Sequence, residues 1–553
     1  MQPNYKFVKY LGENAFVNRF ATQREAKDSL SWFDFTGETI SAKGGIPLFS
    51  DGFYGHVDCS DDHSLIIGTT GSMKTRALIL PTIISLGLAG ENMVILDPKG
   101  EIYEKTSGFL HHEGYIVNAL NFRDLKHSDC WNPLHEPFHL IHDDPNNIDK
   151  INEGKSLVND LMAIIAGLTE EKGGGKDPFW LNMGREFVEG ITSLLVLASP
   201  NEEYCHFSNL ASLVTAALEV NDDDNPSEFK KFIDEFPDTF SIKQKLGSIL
   251  GTANSTKGGI VSEGKSLLTP FFSNKEIEFI LSQNTINLHD YANKEKKVAT
   301  FIIIPEEKPT YNFISTIFIK QLYALLIADA ENCPHQRLPK RVNFILDEFA
   351  NIPKIEDMDN MISAARSRNI RFYLVLQCNS QLHSKYQQQG TTIKNNCQNW
   401  VYLNSREKEL IEEVQELVGV DPSDPQSHAV SVNDLLGIKK DFPTVRCLVV
   451  RKDGKPFVTK LMDITMYDYI MRKDDPIHPQ LKKETLKEYI RPLTLDDLID
   501  IYGDPDSDAR RELISLDDVE NQQLADRLAR EQREKEKEEM SFEEMMLAED
   551  EEK

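Results

Sequence analysis

The octapeptide "GTTGSMKT", Gly68 to Thr75, sets Gly68, Gly71, Lys74 and Thr75 at the spacing of a phosphate-binding loop, with Met73 where such loops carry a glycine before the lysine. In that pattern the backbone N–H groups of Gly68, Thr69, Thr70, Gly71, Ser72 and Met73 face phosphate oxygens. The helix that follows adds partial positive charge, Lys74 bridges the terminal phosphates and Thr75 holds a magnesium ion. A side chain at position 73 is expected to cost roughly 1 to 3 kcal/mol if its backbone is strained. Several charge-assisted contacts to one anion outweigh that cost. Nucleotide binding is therefore expected, and the turnover rate is the quantity that Met73 puts in question.

A second signal is "VNFILDEFA", four apolar residues and then Asp347-Glu348 where a strand ends. Ligands of an α/β sheet gather at the carboxyl ends of its strands. There Asp347 would hold magnesium through water, and Glu348 would polarise the attacking water. Such a pair can equally cap a helix. Gln377 ends the next strand, "IRFYLVLQ", either as a sensor of the terminal phosphate or as an amide capping a turn. Arg366 and Arg368, in "SAARSRNIRF", lie between those two strands. Either could reach the phosphate of a neighbouring subunit, although a helix-surface arginine is the commoner role.

The elements that must position these residues read as an α/β fold. "HSLIIG" is a strand, a helix should start at Lys74, and "NMVILD" (Asn92 to Asp97) is a second buried strand. Strand, loop, helix, strand opens a parallel sheet. From about Asn152 apolar residues recur every three or four positions, as in "KSLVNDLMAIIAGL" and "FWLNMGREFVEGITSLLVLA". Strands resume with "KVATFIIIP", "RVNFILDE", "IRFYLVLQ" and "NWVYLN", so a helical block sits inside one α/β domain. The expected organisation is an N-terminal segment 1–60, the first part of the nucleotide-binding domain 61–150, an inserted all-α domain 151–285, the second part of the nucleotide-binding domain with the C-terminal hairpin 286–475, and a charged helical and acidic tail 476–553. "TVRCLVVRKDGKPFVTKL" should form a hairpin on Asp453-Gly454.

Composition narrows the classes. The 553 residues carry 61 basic and 89 acidic side chains, a formal charge of -28, so DNA contact would need a local basic surface against a repelling field. Seven scattered cysteines without a CxxC pair indicate neither a disulfide framework nor a zinc site, and suit a reducing cytoplasm. No leader is evident, and apolar runs such as "ALILPTIISLGLAG" fall short of the roughly 20 residues that span a bilayer.

In order along the chain, "GTTGSMKT", "ILDPKGEIYEKT", "WNPL", "DPFW", "ILDEFANIPKI" and "FYLVLQCNSQL" resemble the type IV coupling proteins of bacterial conjugation, the TraG/TraD-like DNA-pumping ATPases, over roughly Gly45 to Leu461. The resemblance implies a RecA-like P-loop NTPase domain with an inserted all-α domain, ATP and Mg2+ as cofactors, and a homo-hexamer around single- or double-stranded DNA. It implies a relaxase or relaxosome substrate and docking to membrane secretion-channel proteins. Roles carry over to Lys74 and Thr75 at the nucleotide, Asp347 and Glu348 at magnesium and water, Gln377 as sensor, and Arg366 as the trans-acting arginine. "DPKGE" and "WNPL" serve as structural hallmarks, since Asp97 and Lys99 equally suit a strand-end turn. The family usually has two N-terminal transmembrane helices; none is evident here, so a cytoplasmic protein recruited to the inner membrane face by a partner or a small anchor subunit is expected. Alternatives are a non-hydrolysing adaptor with an impaired loop, and a motor for segregation or packaging, against which the helical insert argues.

Overall fold

The computed structural model describes residues 20–39, 41–170, 178–217, 226–272, 274–305, 307, 311–421, 424–438, 440–452, 454–467 and 490–517. Asp177 of "DPFW", Asp453 of the hairpin turn and the acidic end of the tail lie outside them. Two compact units divide the chain: 1–129 with 285–481, and 130–284 with 482–553.

The first unit begins with a three-stranded antiparallel sheet of β1 (Ser31–Asp34), β2 (Ile46–Ser50) and β3 (Tyr54–Asp58), in the order β1-β3-β2. Phe33, Leu48 and Val57 from these strands join the main apolar core. The large sheet contains β4 (Ser64–Gly68), β5 (Asn92–Leu96), β6 (Ile116–Asn121), β7 (Val298–Ile303), β8 (Val342–Leu346), β9 (Ile370–Leu376) and β10 (Asn399–Asn404). A two-stranded ribbon, β11 (Val420–Asp421) and β12 (Asp424–His428), follows. The large sheet then gains β13 (Lys440–Asp441), β14 (Thr444–Arg451) and β15 (Phe457–Met462). Its order is β13-β14-β10-β4-β9-β8-β5-β7-β6, with β15 on β14. Every pair from β10 to β6 is parallel, and those involving β13, β14 and β15 are antiparallel. All residues of β4, β5, β7, β8 and β9 are buried. That is why these strands read as unbroken apolar runs: helices cover both faces of a parallel sheet. One such helix, Asn312–Glu331, is long and apolar enough for a membrane span, yet 72% of its most apolar stretch is buried within the fold.

Charge is also buried at the amino ends of these strands. Glu91 accepts from Asn343 at 2.9 Å and from the Gly44 N–H at 3.0 Å, and pairs with Arg371 at 3.3 Å and Arg341 at 3.4 Å. Arg371 also donates to the Asn343 side chain and the Ser60 carbonyl, and lies over the Tyr373 ring.

The second unit is helical, built on the long helices Ile148–Glu170, Pro178–Ala198 and Asn254–Leu268. Residues 490–517, within the stretch read from sequence as a charged helical and acidic tail, contribute the helices Leu495–Tyr502 and Asp508–Asp517 to it. Tyr502 donates to the Ala198 carbonyl at 2.9 Å, the Asp517 carboxylate accepts from Ser241, and buried Arg510 stacks on Phe236 at 4.3 Å.

Candidate functional site

The loop after β4 is wound so that only some residue types fit. A Cβ on Gly68 would stand 2.6 Å from Ser72 Oγ, so a side chain there would drive into the turn. Gly71 (φ 74°) and Met73 (φ 72°) both adopt the left-handed conformation. For a residue with a Cβ that costs roughly 1–2 kcal/mol. Met73 offsets part of this by packing its side chain against the apolar core. The unusual residue therefore keeps the backbone shape that a glycine would give. The helix opens with a five-residue π-helical stretch, Thr75–Ile79, before continuing as Leu80–Leu88. Arg76, on its first turn, forms a two-pronged pair with buried Asp463 at 2.6 and 2.8 Å, fixing the loop to the chain after β15.

Sheet order puts β9 between β4 and β8, so the carboxyl ends of three adjacent strands present the loop, Gln377 and the Asp347-Glu348 pair side by side. Lys74 is 6% exposed; its Nζ donates to the Gly68 carbonyl and lies 3.8 Å from Glu348 Oε1. Thr75 Oγ1 donates to Asp347 Oδ2 at 3.4 Å. Gln377 Nε2 donates to Glu348 Oε2 at 2.9 Å, while its Oε1 accepts from Thr70 at 3.2 Å. Gln377 thus bridges loop and acid. Glu348 is held in the left-handed region (φ 52°, ψ 43°), which turns its carboxylate toward the loop at the expense of a favoured backbone. On the far flank, Thr69 is tied to Asn404 at the end of β10 by side chain and backbone.

The electrostatics are lopsided. Burial, and next the neighbouring Glu348 charge, push the Asp347 carboxyl up to about 7. Burial raises Asp97, at the end of β5, to about 6 against the N–H groups of Tyr103 and Gly100 that favour its charged form. Burial also lowers the Lys74 ammonium, opposed by Glu348 and Asp347. Three carboxylates thus share a site with one buried ammonium. A pocket of about 220 Å³ is lined by residues 69–76 together with Lys99, Glu101 and Glu348. Ser72 Oγ is buried without a hydrogen-bond partner. An unpaired buried hydroxyl is costly unless a ligand satisfies it, and the acid excess suits a divalent cation. The donor set therefore fits a phosphate chain and magnesium.

Lys74, Thr75, Asp347, Glu348 and Gln377 are brought together; Arg366 is not. It lies in the turn Arg366–Arg368 before β9, 51% exposed and paired with Asp62 at 3.0 Å. The seven residues of β9 place it about 20 Å from Gln377. Within one chain Arg366 does not reach the pocket, and its ion pair with Asp62 is that of a surface arginine. Arg368 instead donates to Gln336. Sequence reasoning missed Lys99, Glu101 and Asn404 as neighbours of the loop, although "DPKGE" at a strand's carboxyl end carried the signal for the first two.

Comparison with known proteins places this geometry. A family model, Type IV secretory system Conjugative DNA transfer, matches residues 20–427. Conjugal transfer protein TraG of Escherichia coli is 22% identical over 362 residues, covering 61% of this chain and 52% of the relative. Protein VirD4 of Rhizobium radiobacter is 22% identical over 344 residues, covering 59% and 44%. The chain thus spans about half the length of the curated relatives it matches. Among solved structures, plasmid coupling protein TrwB in complex with ADP and Mg2+ superposes with a TM-score of 0.54 at 14% identity, over 80% of this chain and 93% of that one. The same protein with a non-hydrolysable GTP analogue gives 0.53 at 16% identity, over 77% and 90%. At such identity the likeness is one of fold.

Proposed function

The chain belongs to the type IV secretory system family for conjugative DNA transfer, and from that premise we propose that it is an ATP-driven coupling motor. It would move relaxase-bound DNA, single- or double-stranded, to a secretion channel at the inner face of the cell membrane, working as a homo-hexamer. Its fold is the expected α/β, RecA-like P-loop architecture with a helical insert. Family membership favours transfer over segregation or packaging.

One observation carries the reading: Lys74, Thr75 and Glu348 line one phosphate-sized pocket at the carboxyl ends of β4, β8 and β9, with Asp347 bonded to Thr75 and Gln377 to Glu348 beside it. The backbone of residues 69–73 and the Lys74 ammonium would hold the phosphates of ATP. Thr75 and Asp347 would hold Mg2+, which supplies charge neutralisation at the transferring phosphoryl group. Glu348 would take the proton from an attacking water, and Gln377, bonded to both Glu348 and Thr70, would report the terminal phosphate to the next strand. A wider cleft of about 1120 Å³ shares Thr69 and Thr70 with the pocket and offers room for the nucleoside. Arg366 would complete the site of the adjacent subunit, as arginine fingers supplied in trans do, with effects of about 10³ to 10⁵ in rate.

ATPase measured with and without DNA across a concentration series tests this directly. Turnover should rise with DNA and with assembly; a rate independent of both removes the motor reading. Rings mixed from Arg366→Ala and Glu348→Gln chains should regain activity at interfaces that join an intact Arg366 to an intact Glu348. Mixed rings without recovery remove Arg366 from the mechanism.

A further inference from the structure

We propose that His135, His139 and Glu202 of the helical unit form a binding site for one divalent ion of the zinc class, separate from the nucleotide pocket. His135 and His139 stand four residues apart on the helix His135–His142, hence on one face, with ring centroids 4.4 Å apart. Glu202 opens the short turn Glu202–Tyr204 and sends one carboxylate oxygen to each ring: Oε1 lies 2.6 Å from His135 Nδ1, and Oε2 lies 3.1 Å from His139 Nε2. One ligand atom from each of the three residues falls within 4.8 Å of the others. An ion with bonds of about 2.0–2.2 Å draws tetrahedral ligand atoms to roughly 3.4 Å apart. Side-chain rotations alone cover that difference.

The outer contacts are those that metal-binding imidazoles use. His139 turns Nδ1 to Asp143 Oδ1 at 3.0 Å, leaving Nε2 for the ion. That is the carboxylate–histidine–metal arrangement, in which the outer acid fixes the tautomer and orients the ring. Glu136 Oε1 stands 3.9 Å from the nitrogen of His135 that faces away from Glu202, beyond hydrogen-bond distance.

The frame is set independently of the two rings. Asn132 donates to the Cys205 carbonyl at 2.8 Å and accepts from the Leu134 N–H at 3.0 Å, joining the residues before the helix to those after Glu202. Asn201 accepts from the Glu203 N–H at 3.0 Å and starts the turn. All three ligands are partly exposed, 22%, 33% and 37% for His135, His139 and Glu202, so an ion can enter and water can take the fourth position. Glu136 would be the general base if "HEPFH" were a hydrolytic His-Glu-x-x-His centre. Here it is buried beside the other nitrogen of His135. The ion would tie helix to turn without hydrolytic chemistry.

The test is calorimetric titration of the chelator-stripped full chain with Zn2+, repeated with Co2+ to read coordination from its visible absorption. We expect one equivalent per chain, a tetrahedral Co2+ spectrum and a higher melting temperature on loading. Glu202→Gln, nearly isosteric, should weaken binding about 10-fold or more, and Asp143→Asn about 10-fold through ring orientation. Lys74→Ala should leave it unchanged. Absence of saturable binding overturns the proposal. So does binding that survives intact in both Glu202→Gln and His139→Ala, which would put the ion elsewhere.

Discussion

The large sheet buries charge at both ends of its strands, and the two ends are built on opposite rules. At the amino ends Glu91 faces two guanidinium groups, a side-chain amide and a backbone N–H, and Arg371 and Arg341 find further oxygens on Asn343, Ser60 and Asp61. At the carboxyl ends Asp97, Asp347 and Glu348 crowd round Lys74, which approaches Glu348 no closer than 3.8 Å, and the Asp347 carboxyl rises to about 7. Burial is similar, so burial alone does not mark a site. What differs is closure: the amino-end charges balance among themselves, whereas the carboxyl-end acids still call for a cation. A closed network holds the fold together, and an open one binds a ligand.

Substitutions on either side should break the contrast if it is wrong. Lys74→Ala is expected to lower turnover about 10³-fold or more by removing the buried ammonium of the loop, with little change in melting temperature. Undiminished ATPase in that variant would sink the site. At the other end, Arg371→Met should destabilise the protein by about 3–5 kcal/mol, because Glu91 is left buried with part of its charge uncompensated. Nucleotide affinity of the remaining folded protein should stay the same; denaturant titration and nucleotide binding together check this, and a purely functional defect would erase the distinction.

A milder perturbation is pH. Asp347 titrates near 7 in the fold against a reference of 3.8, so the folded state binds its proton more tightly than the unfolded chain does. The nucleotide-free protein should therefore lose stability as pH climbs from about 4 to about 7, with no further loss from this group above that range. Asp347→Asn should flatten that slope, and Mg2+ affinity should strengthen between pH 6 and 8 in the native protein; melting curves and metal titrations read each. The smallest effect belongs to Met73→Gly. Relief of left-handed strain and loss of the apolar contact nearly offset, so ATPase should hold or rise within tenfold. A fall of tenfold or more, about 1.4 kcal/mol, would reveal a contact from Met73 to the nucleotide.

Much of the open end can be read from short segments. "GTTGSMKT", "ILDE" and "LVLQ" are contiguous signals, each ending a strand whose apolar run identifies it, and a parallel sheet brings such ends together. Less local features were hidden. Asp463, which anchors the loop through Arg76, is 387 residues away from it. The three strands between Ser31 and Asp58 are only four or five residues long and mix exposed with buried positions, too short for a period to register. In residues 490–517 charged and apolar residues are equally frequent, and Leu493, Leu498, Tyr502, Leu513 and Leu516 are buried. Strand order, which decides that Gln377 stands between loop and acids, is a long-range property that no window of sequence contains.

That strand order also governs how the protein is made. Before the helical segment is synthesised, the ribosome has delivered β4, β5 and β6, and no two of these are neighbours in the finished sheet. Their first partner, β7, comes after roughly 180 further residues, a wait of roughly 10 to 35 s at typical elongation rates, and β8 and β9 come later still. During it three apolar strands have no native edge to pair with. The bond that closes the junction, from Thr285 to Asp129 at 3.3 Å, can form only as that wait nears its end. The unit that carries the large sheet thus completes its strand pairing only after the helical segment has been made.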